Sequence, residues 1–160
     1  MEARPVSASK VQMTEMVLPQ HTNSFGSLFG GQVVSWIDIA AAISAQRHCS
    51  RPVVTASIDD MHFHAPVYKG WVVNLVASVN FCGRTSMEVG VRVDAENPST
   101  GEKFHTASAY LTFVALDSYN RPASIPQVLP ETEDEKRRFA NAKQRRKLRL
   151  ERRELFRQKT

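Results

Sequence analysis

The chain has 160 residues, 42% hydrophobic and 23% charged, with a formal net charge of +5 and two cysteines. That length suits one domain, and that balance excludes a disordered chain, a disulfide scaffold and a four-ligand zinc module. No apolar run is long enough to span a bilayer, and the N-terminus MEARPVSASK lacks the apolar centre of a secretory signal, so a cytoplasmic protein with reduced Cys49 and Cys82 and no membrane contact is expected.

Residues 11–18, VQMTEMVL, are β-branched and apolar and stop at Pro19, which predicts a first strand. Residues 20–31, QHTNSFGSLFGG, form a loop dense in Asn, Ser and Gly. From Gly31 to about Arg47 the pattern is helical and apolar on nearly every side, so this helix is expected to be buried all round. Ala40, Ala41 and Ala42 make it thin enough for a sheet to come close, and Ser50, Arg51 and Pro52 end it. Extended segments follow at 53–63, 72–81, 86–96 and 103–116. Two of them alternate cleanly, with Val73, Leu75, Ala77 and Val79 on one face of the first and Met87, Val89, Val91 and Val93 on one face of the next. Phe104, Tyr110 and Phe113 in the last segment read as core. Pro122 and Pro126 punctuate an irregular exit.

Residues 1–130 carry 9 Lys plus Arg against 10 Asp plus Glu, while 131–160 carry 12 against 6. The basic excess therefore lies wholly in the tail, whose composition favours a helix without a continuous apolar stripe, read here as solvated or partly frayed. A neutral body with a basic tail points to a local anion contact, whereas an evenly basic surface points to nucleic acid. One long helix with about five long strands is an α+β pattern. The helix has to cover the sheet, and the open face then calls for at least a dimer.

Four constellations can carry chemistry. Asp38 is the only charged residue between Val33 and Ile43 in the apolar helix. A buried carboxylate is costly, so it serves as a base or nucleophile, or else as a structural acid with a cap or an arginine partner. Gly30 and Gly31 open the helix with bare backbone N–H groups, suited to a carbonyl becoming an oxyanion, to a phosphate, or to nothing more than a tight turn. Gln32 and Val33 stand where a P-loop needs Lys and Ser or Thr. Asn23, in HTNSFG, is able to orient a water or a carbonyl, or is a turn residue. Arg84, Thr85 and Ser86 in GRTSMEV offer a cation and two hydroxyls for phosphate or amide oxygens, or form an ordinary hairpin bend. His62 and His64 lack a third ligand, so no metal is expected. Neither GxSxG nor GxGxxG occurs, which argues against a serine elbow and a dinucleotide fold.

The run LPQHTNSFGSLFGGQVVSWIDIAAAISAQRH resembles the loop and helix of the hotdog-fold acyl-CoA thioesterases. VVTASIDDMHFHAPVYKGWVV resembles the strand pair that follows, and FCGRTSMEVGVRVDAENPSTGEKFHTASAYLTFVALD resembles the final hairpin. The resemblance spans most of residues 8–127, taken as the hotdog domain. Residues 131–160, with RRFANAKQRRKLR, look like the basic extension of bacterial members. It implies an antiparallel sheet wrapped around one central helix and hydrolysis of fatty acyl-CoA. Asn23 and Asp38 match the family's catalytic pair, which opposite protomers contribute across a dimer interface, often within a trimer of dimers. Thr55, Ala56, Ser57, Arg84, Thr85, Ser86 and Met87 fall where members hold coenzyme A, and the tail basics Arg145 and Arg146 would meet its phosphates. No cofactor is implied, coenzyme A being part of the substrate. Related dehydratases use a His with a helix acid that is commonly Glu, so Asp38 with Asn23 favours hydrolysis. The rival readings are a non-catalytic acyl-CoA sensor on the same fold, for which no DNA-binding helix-turn-helix precedes residue 10, and a nucleic-acid module driven by the tail.

Overall fold

Period-two alternation along residues 72–96 builds the centre of a sheet, and the computed structural model of the chain, which describes residues 1–157, shows how the rest attaches to it. The elements are β1 (Arg4–Pro5), β2 (Val11–Met16), α1 (Gly30–Cys49), β3 (Val53–Ile58), β4 (Val72–Cys82), β5 (Ser86–Glu96), β6 (Lys103–Ala115), β7 (Val128–Leu129) and α2 (Glu133–Arg157). Five strands form one antiparallel sheet in the order β2-β4-β5-β6-β3, while β1 and β7 pair in parallel as a separate two-residue ribbon. The sheet wraps α1, as the hotdog pattern requires.

Rows of small and β-branched residues run across the strands, such as Ala77–Val91–Ala109 and Val79–Val89–Leu111, and all are buried. Against them α1 lays Val33, Trp36, Ile37, Ala40, Ala41, Ser44 and Ala45, the spacing of one helical face. Fully burying side chains of the Val, Ile or Leu class contributes about 1.5–3 kcal/mol each, which makes this face the main adhesive of the fold. The helix ends at Ser50, whose φ of 54° is left-handed and whose N–H donates to the Gln46 carbonyl at 2.8 Å.

Several expectations need correction. The helix runs from Gly30 to Cys49, longer at both ends than the expected Gly31 to Arg47. Nor is it buried all round in one chain, since Ser35, Gln46 and Arg47 are exposed and Ile39 is 49% exposed. The first strand stops at Met16 rather than residue 18, and the 53–63 segment is strand only to Ile58. Past Ile58 one more backbone bond, from the Asp59 N–H to the Tyr110 carbonyl at 2.9 Å, holds the chain to β6, while the Asp59 and Asp60 side chains face the arginines of α2, Arg149 at 2.8 Å and Arg152 at 3.8 Å.

The largest correction concerns the tail. Expected to be solvated or frayed, it is a continuous 25-residue helix that crosses the sheet face α1 leaves open. The last three residues of the 131–160 extension lie outside the described residues. A capping box starts the helix. Thr132 Oγ1 accepts the Glu135 N–H at 3.1 Å, and Glu135 Oε2 accepts the Thr132 N–H at 3.1 Å. Phe139 packs on Phe81 with ring centroids 5.3 Å apart. Arg145 donates to Glu88 at 2.7 Å and stacks 3.7 Å over Tyr110, so Tyr110 belongs to this outer layer and not to the core where the sequence put it. Arg149 donates to the other Glu88 oxygen at 3.1 Å and to Asp59 at 2.8 Å. Glu88 is only 2% exposed. Asn80 completes its shell, donating to Oε1 at 3.2 Å from a position directly over Gly90, where an added Cβ would lie 2.6 Å from the amide nitrogen.

The last turn of α1 carries a second buried polar group. His48 Nε2 is 2.8 Å from the Pro126 carbonyl and 3.3 Å from Cys82 Sγ, while Nδ1 has no partner among the described residues. Burial lowers the His48 pKa, the Pro126 carbonyl raises it and the nearby Arg4 charge lowers it again, for a net lowering. Burial also pushes the Cys82 thiol up to about 12. Both cysteines are free and buried.

Two predictions follow from this packing. Glu88→Gln leaves two guanidinium groups without their counter-charge. Each is nearly a quarter exposed and able to swing to water, so the cost falls below the roughly 3–5 kcal/mol of a fully buried broken pair, at about 2 kcal/mol. Urea unfolding reads that loss, and limited trypsin digestion is expected to cut α2 before the body opens. A variant matching the parent in both measurements would remove Glu88 as the anchor. The second concerns acid. The unfolded chain binds a proton at His48 near pH 6.5, the folded chain only at lower pH, so stability falls as pH drops from about 6.5 toward the folded value. His48→Leu should flatten the unfolding midpoint between pH 7 and 5; an unchanged slope assigns the titration to another group.

Candidate active site

The loop before α1 is fixed by its own side chains. Asn23 Oδ1 accepts the Phe25 N–H at 2.9 Å and the Ser27 N–H at 3.3 Å, and Asn23 Nδ2 donates to Ser27 Oγ at 3.0 Å. Asn23 is exposed and makes no hydrogen bond to Asp38 among the described residues. This turn delivers the chain to α1 with Phe29 at the N-cap and no side-chain cap. Phe29 O takes the Gln32 and Val33 N–H groups, at 3.0 and 3.3 Å, which leaves those of Gly30 and Gly31 without an acceptor among the described residues. A Cβ added at Gly31 would come within 2.5 Å of the exposed Phe29 ring, which would have to swing aside.

Two turns along, Asp38 sits half-buried at the side of the helix facing β3. Its partner is a hydroxyl and not an arginine: Thr55 Oγ1 donates to Asp38 Oδ1 at 2.8 Å. Oδ2 has no protein partner among the described residues. A β-bulge makes the meeting possible. The register slips between Thr55 and Ser57, so Ala56 is the unpaired extra residue that re-aims its neighbours.

Past the bulge the chain enters a cleft of about 920 Å³ between β3, the β4–β5 end of the sheet and α2. Of the residues assigned from sequence, Ala56, Ser57, Ser86, Met87 and Arg146 line it. Thr55 stands at its approach, bound to Asp38. Arg84 and Thr85 lie in the turn outside the lining; their carbonyls accept the Ile125 and Ala115 N–H groups at 3.1 and 3.0 Å. Arg145 has its guanidinium committed to Glu88. Sequence reasoning missed Arg149, Arg152 and Arg153, which line the cleft beside Asp59, Asp60 and Glu88. A helical reading of Arg145, Arg149 and Arg152 at intervals of four and three would have placed them on one face. Among the described residues no group of three or more His, Cys, Asp or Glu is placed to hold a metal ion, and no helix is long and apolar enough to cross a membrane.

A half-buried carboxylate with one oxygen held and one open, near a basic cleft, is arranged for a proton transfer or an attack beside an anionic ligand. Residues 25–102 match the thioesterase superfamily model. An acyl-CoA thioester hydrolase of Bacillus subtilis is 47% identical over 134 residues, 84% of this chain and 78% of that protein. The chain spans only 24% and 38% of the length of two mammalian relatives it also matches. An apo-hexameric acyl-CoA thioesterase superposes with a TM-score of 0.92 at 43% identity, covering 95% of this chain and 97% of that one. An acyl-CoA hydrolase from Staphylococcus aureus, solved with butyryl coenzyme A, coenzyme A and coenzyme A disulfide, gives 0.91 at 38% identity over 98% and 96%. Alanine variants of the staphylococcal protein at an Asn, an Asp and a Thr also match, and those three positions are separated by 15 and 17 residues.

Thr55→Val keeps the shape and removes the hydroxyl on Asp38. A hydrogen bond to a charged group is worth about 1.5–3 kcal/mol, so kcat should fall roughly tenfold or more with KM little moved, and the loss of stability should not exceed that energy. Equal kcat for parent and variant would make the Thr55 contact incidental.

Proposed function

The chain belongs to the thioesterase superfamily, as a hotdog-fold thioester hydrolase, and from that premise we propose that it cleaves fatty acyl-CoA to a free acid and coenzyme A at Asp38. The observation that carries the assignment of the residue is the Asp38 carboxylate, tied through Oδ1 to Thr55 and open at Oδ2, on the helix that begins with the two uncapped glycines. Water positioned by Asn23 gives a proton to Oδ2 as its oxygen bonds to the thioester carbon. The carbonyl oxygen takes on negative charge facing the Gly30 and Gly31 N–H groups. As the C–S bond breaks, the proton passes to the departing sulfur. Direct attack by Asp38 through an anhydride uses the same groups. Neither course calls for a cofactor, since coenzyme A arrives as part of the substrate.

In this reading Asn23 and Asp38 come from two protomers. Two observations support that. Within one chain the pair makes no hydrogen bond, and the surface around Asp38 is unfinished: Ile39, Val54 and Ile58 are exposed and β3 is a free sheet edge. A dimer is then the minimal unit, with a trimer of dimers as the larger assembly. The coenzyme A portion lies in the cleft along Ala56, Ser57, Ser86 and Met87, with Arg146 and the further arginines of α2 toward its phosphates and Arg84 and Thr85 at the rim. Asn23, Asp38 and Thr55 are separated by 15 and 17 residues, the spacing of the three positions altered in the staphylococcal hydrolase. A cytosolic protein acting on soluble acyl-CoA fits this site.

The test is an acyl-CoA panel of several chain lengths read with a thiol-reactive dye, run beside Asp38→Asn. The parent should release thiol from at least one chain length, and Asp38→Asn should lose most turnover while still binding coenzyme A. Mixing Asn23→Ala with Asp38→Asn after unfolding and refolding should restore about a quarter of the parent rate, because half the random dimers then hold one intact site of two. No thiol release from any substrate rejects the activity, a fully active Asp38→Asn rejects the mechanism, and no rescue on mixing places the pair within one protomer.

A further inference from the structure

On the sheet face away from α1, α2 roofs a second hollow of about 310 Å³, separate from the cleft beside β3. Its floor is two cross-strand rows, Ser78–Gly90–Tyr110 and Val76–Arg92–Ser108. Gly90 adds no side chain, which sinks the floor. From the helix, Arg137, Asn141 and Arg145 come down at four-residue intervals, with Arg138 beside them. A gap between a helix and a sheet is ordinarily closed by apolar side chains. Here the described lining holds four arginines, two serine hydroxyls, a tyrosine and two asparagine amides, and no carboxylate.

The cleft beside β3 differs, because Asp59, Asp60 and Glu88 stand among its arginines. Around the hollow, Arg145 is taken by Glu88, and Arg92 is 3.0 Å from Asp94. Asp94 is shared in turn with His105 at 3.3 Å, and His105 Nε2 is 3.1 Å from Ser108 Oγ. Arg137 holds Asp134 at 3.3 Å in an exposed pair, and Arg138 has no ion-pair partner among the described residues. Three of the four arginines are thus paired, and Arg138 leaves one uncompensated positive charge at the edge of a concave, donor-rich space.

We propose that this hollow is an anion site distinct from the catalytic cleft, taking a compact, multiply charged phosphate group. Guanidinium forks and hydroxyls match phosphate oxygens, and the carboxylates that pair with these arginines stand outside the lining. The group is either free inorganic anion or the phosphate of a small ester.

The test uses the full chain at low salt, with inorganic pyrophosphate and ribose 5-phosphate as probes in titration calorimetry. With the catalytic cleft saturated by coenzyme A, pyrophosphate should still bind once per chain, and whether ribose 5-phosphate binds more tightly tells the ester from the bare anion. Arg138 is exposed, so Arg138→Gln should fold normally; it should weaken binding about tenfold, and Ser108→Ala should weaken it further in the double variant. Arg153→Gln, in the other cleft, should leave it unchanged. The site is overturned by an absence of binding, by binding indifferent to Arg138→Gln, or by equal weakening in all variants, which is general electrostatics. Because the readout is binding and not turnover, none of these results bears on thioester cleavage.

Discussion

The arrangement of the molecule depends on one buried carboxylate. Glu88 sits on the sheet face that would otherwise meet water, and its counter-charges come from α2, about sixty residues along the chain. A lone carboxylate buried to this degree would cost several kcal/mol. Arg145 and Arg149, with Asn80, supply the hydrogen bonds that make the burial tolerable. Arg149 also reaches Asp59, so one guanidinium ties three elements together: β5, α2 and the chain leaving β3. Both sides of the basic cleft are therefore set by the same ionic cluster, and the segment carrying Thr55, Ala56 and Ser57 is held on one of those sides.

The α1 side follows a different logic. There adhesion comes from apolar area and shape, and the polar groups are few: Asp38 at the side, His48 in the last turn. The Thr55 hydroxyl on Asp38 is the point where the two halves meet, since Thr55 belongs to the strand whose continuation is clamped by α2 and Asp38 belongs to the helix packed on the core. A displacement of α2 is thus transmitted toward the carboxylate through β3, a six-residue edge strand already loosened by a bulge.

Much of this was legible in the chain. Alternation along β4 and β5 identified the sheet, the alanine-rich stretch identified α1, and Asp38 stood out as the one charge in it. What escaped has common physical causes. Glu88 reads as solvent-facing because it alternates with Met87 and Val89; only a distant helix buries it, and a two-residue period carries no information about residue 145. The tail lacked an apolar stripe because its docking is ionic and aromatic, through arginines, Phe139 and Tyr110, although Thr132 and Glu135 form a capping box the sequence displays. The bulge at Ala56 leaves no mark in composition, yet it decides where Thr55 points. Arg145 and Arg146 were grouped as equivalent because neighbours in sequence look alike; on a helix they differ by about 100°, enough to send one to a buried acid and the other to the cleft.

The docking of α2 also orders events during synthesis. The chain emerges N-terminus first, so the sheet and α1 are complete before the last helix is available. Through that interval the uncovered face presents Asn74, Ser78, Glu88 and Arg92 together with the Phe81 and Tyr110 rings that α2 later covers. Closure of the cleft then waits on the emergence of α2, so a nascent body can be folded without yet having a walled place for its ligand.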